Sequence, residues 1–367
     1  MPDRKDRRGA APPAGATPEE EARPARRGRL TLSQLAETLK VSTATISLAL
    51  RDSPLVAEAT RERVKQAARE RGYIYNRSAA ALRTARSNVI GVAVHDILNP
   101  YFAEIFRALE DALGENDQVV FICNHRDDVE RQRVFTQALL QHRADGLVLC
   151  PSVGTEADEI NQLVETGLPV TLICRDLPGV NAPVIRGDDI TGGRRLTEQL
   201  IAQGHRHIAM IGGRVESSSG VQRRAGWARA LQEAGLDVDS QLYLPELMTR
   251  ADGYEVVDAI LAHEPRPTAV FCFNDMIARG LVEALRRAGL NAGPDIAVAG
   301  YDDIIGAATS TPSLTSVNNG APEIGERAAR MILAQISGES VAPERVLIAP
   351  TLKLRESTAQ GPAANTQ

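Results

Sequence analysis

The sequence predicts an α/β protein with a small all-helical module towards its N-terminus. Three observations predict it. Residues 30–50 spell an amphipathic helix, a short break and a second helix. From residue 89 onward, apolar runs of strand length alternate with amphipathic helices. Charge is divided between a basic front and an acidic remainder.

A chain of 367 residues has room for two or three domains and a sizeable core. Aromatic content is low and apolar content ordinary, as in a soluble globular protein. No apolar run approaches the roughly 18 residues that a membrane span needs, and an apolar secretory stretch is not evident at the N-terminus. Cys123, Cys150, Cys174 and Cys272 each sit in a separate apolar run without CxxC spacing, so buried reduced thiols in a cytoplasmic protein are expected, not disulfides or a metal site.

The chain carries a net charge of −5, but unevenly. Residues 29–87 hold 11 Lys and Arg against 5 Asp and Glu, a net of +6; residues 1–28 hold 7 against 5, a net of +2; the remainder is therefore at −13. A basic module on an acidic body is the asymmetry of a protein that meets phosphates at one end. Residues 1–28 are rich in Pro, Ala, Gly, Arg and Glu without periodicity and read as a disordered, solubilising tail, although the basic cluster Arg23, Arg26, Arg27 and Arg29 at its end could brush the DNA backbone.

In LTLSQLAETLKVSTATISLAL, Leu32, Leu35, Ala36 and Leu39 share one helix face. Thr31 with Gln34 forms a capping box. Lys40, Val41 and Ser42 break the chain, and Ser42 caps a second helix. That helix turns Ile46, Ala49 and Leu50 inward, and Thr43, Ala44, Ser47 and Leu48 outward. The pattern matches a helix-turn-helix whose second helix enters the DNA major groove, although an ordinary helical hairpin would show the same spacing. After a turn at Arg51–Pro54 a third helix is expected over 58–71, with Val64, Ala67 and Ala68 inward and a mostly basic outer face. Asn76 can cap a short helix over 77–82, which is marginal alone and would order on binding.

Strands are expected at 89–94, 119–123, 146–150, 170–174, 208–211, 269–273 and 296–299. Their continuous apolar character indicates parallel sheets covered by helices on both faces. Residues 182–193 look like a crossing into a second lobe, giving two doubly wound lobes with a cleft between them. Ligands in such folds bind beyond the strand C-termini, where the sequence places His95, Asp96, Asn124, His125, Arg175, Asp176, Asn274, Asp275, Asp302 and Asp303. The expected organisation is a tail (1–28), a helix-turn-helix domain (29–75), a hinge helix and linker (76–87), a two-lobed body (88–357) and a C-terminal tail (358–367).

The ordered set TLSQLAETLKVSTATISLAL, NRSAAALRT, NPYFAEIF, RADGLVL, GHRHIAMIGG, QRRAGW, FNDMIARG and IAVAGYDD resembles the lactose-repressor/galactose-repressor (LacI/GalR) family of bacterial transcription regulators over about residues 30–357. The resemblance implies a periplasmic-binding-protein-like body and a repressor that binds a pseudo-palindromic double-stranded operator as a homodimer, under control of a small molecule, a sugar or its derivative, with no cofactor and no membrane contact. By position, Thr43 and Ala44 would meet base edges, with Thr31, Ser42, Thr45, Ser47 and Leu48 as further contacts. Asn76, Arg77, Ala79 and Leu82 would serve in the hinge, Leu82 wedging into the minor groove. Effector contacts would fall at Tyr101, Phe102, Arg175, Asp189, Arg223, Asn274 and Asp302, where an Arg fork, amide, carboxylates and aromatic faces suit a polyol. Asn274 could instead simply cap the helix that follows, and Trp227 reads as core. The short C-terminal remainder without leucine heptads favours a dimer.

The chain departs from the family at Leu48, where many members have an Arg that can read guanine bidentately. It departs also at Lys40, where the turn often has Gly; at Ala57, which replaces a hydroxyl cap; and at residues 318–321, where many carry Gln, Pro or an aromatic. An extracytoplasmic sugar-binding protein would share the two-lobed body but not the basic module. An enzyme is not expected, since GxxxxGK[ST], GxGxxG and GxSxG are absent and His205 and His207 have no third metal ligand at useful spacing.

Overall fold

The computed structural model describes residues 30–73 and 86–359, and the chain divides into two compact units after residue 79. The first consists of α1 (Leu32–Leu39), α2 (Thr43–Ala49) and α3 (Glu58–Glu70). The capping box forms as expected: Gln34 N donates to Thr31 Oγ1 at 3.3 Å, and Thr31 N donates to Gln34 Oε1 at 2.9 Å. Ser42 Oγ accepts from Thr45 N at 3.0 Å and starts α2. Leu35, Ala36, Ile46, Ala49, Val56, Val64 and Ala68 close a small core, and Arg63 and Arg71 tie α3 to α1 through Leu39 O and Thr38 Oγ1.

Two residues expected on the outer face of α2 lie otherwise. Ser47 is only 2% exposed, and Leu48 is half-buried against the core. A seven-residue helix packed against both α1 and α3 is covered on two sides, so the exposed surface narrows to Ser42, Thr43 and Ala44.

The second unit has two lobes. The first lobe begins with β1 (Val89–Val94), α4 (Pro100–Gly114), β2 (Val119–Asn124), α5 (Val129–Gln141), β3 (Gly146–Leu149), α6 (Ala157–Glu165), β4 (Val170–Ile173) and β5 (Val184–Gly187). The chain then crosses over to α7 (Asp189–Ala202), β6 (Ile208–Ile211), α8 (Ser218–Glu233), β7 (Tyr243–Leu244), α9 (Arg250–Glu255), α10 (Val257–Ala262), β8 (Ala269–Cys272), α11 (Asp275–Arg287), β9 (Ala297–Tyr301) and β10 (Thr315–Asn318). It returns for α12 (Ala321–Ile336) and β11 (Arg345–Ile348), then crosses again to β12 (Thr351–Lys353). The sheets are ordered β11-β5-β4-β3-β1-β2 and β12-β10-β9-β8-β6-β7. Three short connections therefore join the lobes, and both sheets are parallel except for β12 against β10.

The expected seven strands are present, β1 and β6 with the expected ends and the other five with ends shifted by one or two residues. Five more, β5, β7, β10, β11 and β12, did not stand out as apolar runs. Residues 182–193, read as a crossing, contain β5 before they cross. Coverage on both faces fails at β2, an edge strand that leaves Val119, Phe121 and Ile122 about half exposed.

The departures at Lys40 and Ala57 have structural costs. Lys40 is left-handed, at φ 52° and ψ 44°, a conformation costing a side-chain-bearing residue roughly 1–2 kcal/mol. Ala57 offers α3 no side-chain cap. Lys40→Gly and Ala57→Ser should each stabilise the helical unit by about 1 kcal/mol. Calorimetry of the full chain should show its transition moving up for both; an unchanged or lowered midpoint contradicts this account.

Candidate functional site

In the second unit the strand C-termini of both lobes face one cleft. Tyr101 and Phe102 open α4, which starts with Pro100 and is capped when Tyr101 N donates to Asn99 Oδ1 at 3.1 Å. Arg175 follows β4, Asp189 opens α7, Arg223 lies on α8, Asn274 caps α11 and Asp302 follows β9. All seven line a single cavity of about 30 Å³, joined by His95, Asn99, Cys174, Met248, Phe273 and Asn319.

Arg223 is the centre of this arrangement. Its Nε donates to Asp189 Oδ1 at 2.9 Å, Nη1 to the Phe273 carbonyl at 2.6 Å and Nη2 to Asp302 Oδ1 at 3.4 Å. The guanidinium lies 3.7 Å from the Tyr301 ring centroid and 4.4 Å from that of Phe273. Burial disfavours its charge, but Asp189 and Asp302 outweigh that and hold it protonated. Asp302 also accepts from Asn99 Nδ2 of the other lobe at 3.5 Å.

Burial pushes the Asp302 carboxyl up to about 7, with Arg223 and Asn99 opposing only in part. Its native value lies above the ordinary 3.8, so its contribution to stability is full below that value and is lost as pH rises towards 7. Asp302 also has φ 99°, and Asp303 φ 52°. The turn sends the two carboxylates to different partners, Asp303 pairing with Arg355 at 2.7 Å.

Arg175 is occupied differently. It pairs with Asp127 through both terminal nitrogens and donates to Pro151 O at 3.0 Å. Burial alone would raise Asp127, yet Arg175 holds its carboxyl down at about 2. Arg175 Nε and Asn319 Oδ1 are buried without a hydrogen-bond partner, an uncommon state that a ligand in the cavity could relieve. Both polar atoms of the Asn274 side chain are used within the protein, Oδ1 accepting from Ile277 N at 2.9 Å and Nδ2 donating to Met248 O at 3.0 Å. Trp227 is core, its indole N–H donating to Ile208 O at 3.2 Å.

The sequence reading missed Asn99, although it immediately precedes Pro100 in NPYFAEIF, a helix-start signal. His95 was noted only as a strand-end residue. Phe273 was hidden inside an apolar strand, and Met248 gave no signal.

In the helical unit, Ser42, Thr43 and Ala44 form the exposed start of α2, with Thr45 half-buried behind them. Ser42 Oγ and Thr45 Oγ1 are 2.9 Å apart, and Thr31 is engaged in its capping box. Asn76, Arg77, Ala79 and Leu82 lie outside the described residues. Among the described residues no cluster could hold a metal ion, and no helix is long and apolar enough to cross a membrane.

Residues 31–76 match the family described as bacterial regulatory proteins, lacI family, and residues 197–358 match a periplasmic binding protein-like domain. The HTH-type transcriptional repressor PurR of Erwinia tasmaniensis is 32% identical over 90% of this chain and 98% of its own length. The chain belongs to the LacI family. It is a DNA-binding transcriptional regulator. Among solved LacI-type structures, the lac repressor dimer bound to operator and the anti-inducer ONPF covers 90% of this chain and 99% of its own, at 27% identity and a TM-score of 0.78. The regulator CelR in complex with cellobiose covers 90% and 100%, at 31% identity and 0.67.

The Arg223–Asp189 pair depends on close approach of α7 and α8. A Cβ on Gly226 would lie 2.3 Å from Ile190 O, and one on Gly193 2.5 Å from Arg223 O. Gly226→Ala should force these LacI-family helices apart and lower the unfolding midpoint of the two-lobed unit. Gly114→Ala, whose methyl meets nothing within 4 Å, should leave it unchanged or raise it. Equal midpoints for the two variants would contradict the close-packing argument.

Proposed function

We propose that this chain is a repressor that binds a pseudo-palindromic operator as a homodimer and is controlled by a neutral sugar held at Tyr101, Phe102, Arg175, Asp189, Arg223, Asn274 and Asp302. The convergence of these residues on one cavity carries the reading. Each charged group there already has a counter-charge: Arg223 with Asp189 and Asp302, Arg175 with Asp127. Such a site has carboxylates and guanidinium nitrogens for neighbouring hydroxyls, and the Phe102 and Phe273 rings for apolar sugar faces, but no spare positive charge for an anion. The cellobiose bound to CelR supports the same class.

The cavity holds about one water, so a sugar needs the lobes to part. Three short crossovers after β5, β10 and β11 are the places for that hinge. Asn99 to Asp302, and Ile305 N to Glu104 Oε1 at 2.8 Å, are contacts between lobes that parting would break. Ligand-dependent lobe geometry then biases the DNA-competent state, which requires different effector affinity for the two states.

On DNA, Ser42, Thr43, Ala44 and Thr45 would contact bases or backbone, with the half-buried Leu48 at the rim of α2, while the buried Ser47 stays behind them. Ala44 and Leu48 would sense thymine methyls, with the hinge residues Asn76, Arg77, Ala79 and Leu82 in the minor groove. Selection of the operator from random DNA, repeated with a panel of neutral sugars and nucleobases, tests both parts. The expected outcome is a symmetric site without a fixed guanine opposite Leu48, with binding shifted by a sugar. A fixed guanine there overturns the Leu48 assignment, and a nucleobase response without a sugar response overturns the polyol assignment.

A further inference from the structure

Cys150 directly follows β3 and Cys174 directly follows β4, and these neighbouring parallel strands pair with Leu149 opposite Leu172. Side chains alternate along a strand, so Cys150 and Ile173 share the face that packs on the first-lobe core. Regular continuation would turn Cys174 away. Instead Cys174 has φ 64°, and this left-handed step sets its side chain against the same core. Both side chains thus pack against one core from adjacent strands.

Their surroundings differ from those of the other cysteines. Cys150 Sγ lies 3.6 Å from His95 Nδ1, and Cys174 Sγ lies 3.8 Å from the Tyr101 hydroxyl. Cys174 is half-buried and lines the cleft cavity together with His95, Tyr101 and Arg175. Burial opposes ionisation of Cys150, but the Cys174 thiol, His95 and Arg175 outweigh it and favour its thiolate. Burial pushes Cys123, Cys272 and Cys174 itself up, so within the pair Cys150 is the attacking thiol and Cys174 the resolving one.

We propose that Cys174 in the cleft wall and Cys150, fully buried behind it, are a modification site that forms a reversible disulfide on reaction with a hydroperoxide. With hydrogen peroxide, the Cys150 sulfur attacks one peroxide oxygen; the O–O bond breaks, the other oxygen leaves as water and Cys150 becomes a sulfenic acid. The Cys174 sulfur then attacks Cys150 Sγ, the S–O bond breaks, and a second water carries away the hydroxyl with the remaining proton. Two thiols lose two electrons and one peroxide gains them. The disulfide removes the Cys174 S–H from Tyr101, so oxidation alters a wall of the cavity. That consequence for effector affinity rests on the sugar-site reading; the disulfide itself does not.

The test is peptide mapping of the full chain after treatment with hydrogen peroxide and alkylation without reductant. The expected result is loss of two of the four free thiols, a linked pair of peptides carrying Cys150 and Cys174, and full recovery with dithiothreitol. In Cys174→Ser, dimedone should instead trap a sulfenic acid at Cys150. Oxidation of the more exposed Cys123 before the pair, or persistence of both thiols, overturns the proposal. Because the mapping needs no effector and no folded variant, its failure is distinct from a failure of the sugar-site reading.

Discussion

The guanidinium of Arg223 is the interaction on which the cleft depends. It is fully buried, yet it joins the start of α7, the end of β8 and the turn after β9 through Asp189, the Phe273 carbonyl and Asp302. Removing one member of such a buried network would strand the others without compensation, typically at 3–5 kcal/mol. The glycines at the α7–α8 crossing bring the helix carrying Arg223 close enough to reach Asp189. Asp302 extends the network to Asn99, so the same cluster that organises one lobe also senses the position of the other.

This arrangement gives a physical meaning to control. Under the proposed reading, a sugar that supplies hydroxyls to Asp302, Asp189 and Arg175 would substitute for contacts between lobes or add to them, and the three crossovers would absorb the change. The helical unit, in contrast, is built with little margin. Its core is seven buried side chains, and it contains a left-handed Lys40 and an uncapped α3. A reading head of low intrinsic stability leaves more of its order to be supplied by DNA.

The fold class and both chemistries were legible in the sequence, but not at equal depth. Helix caps at Thr31 and Ser42 are local, and local chemistry set them correctly. The strands β5, β10 and β12 are short and carry Arg186, Thr315, Ser316, Asn318, Thr351 and Lys353, so only their neighbours in the sheet make them strands. Helical periodicity assigns one inner face and puts Ser47 outside it, whereas a short helix wedged between two others has two. The proposed effector residues follow from family resemblance; periodicity alone places several of them at strand ends but cannot say that they meet. The proximity of Cys150 and Cys174 arises from the adjacency of β3 and β4 and the left-handed turn at Cys174, neither of which CxxC spacing reports.

The claim that Asp302 and Arg223 form the effector-responsive cluster is tested most directly by calorimetric titration of the neutral sugar that shifts operator binding into the parent and Asp302→Asn on either side of pH 7. An ionised Asp302 accepts sugar hydroxyls, and burial places its titration at about 7. Affinity of the parent should therefore strengthen as pH rises through that value, while Asp302→Asn should bind more weakly and without that pH step. Parent and variant showing the same affinity and the same pH profile would contradict the account.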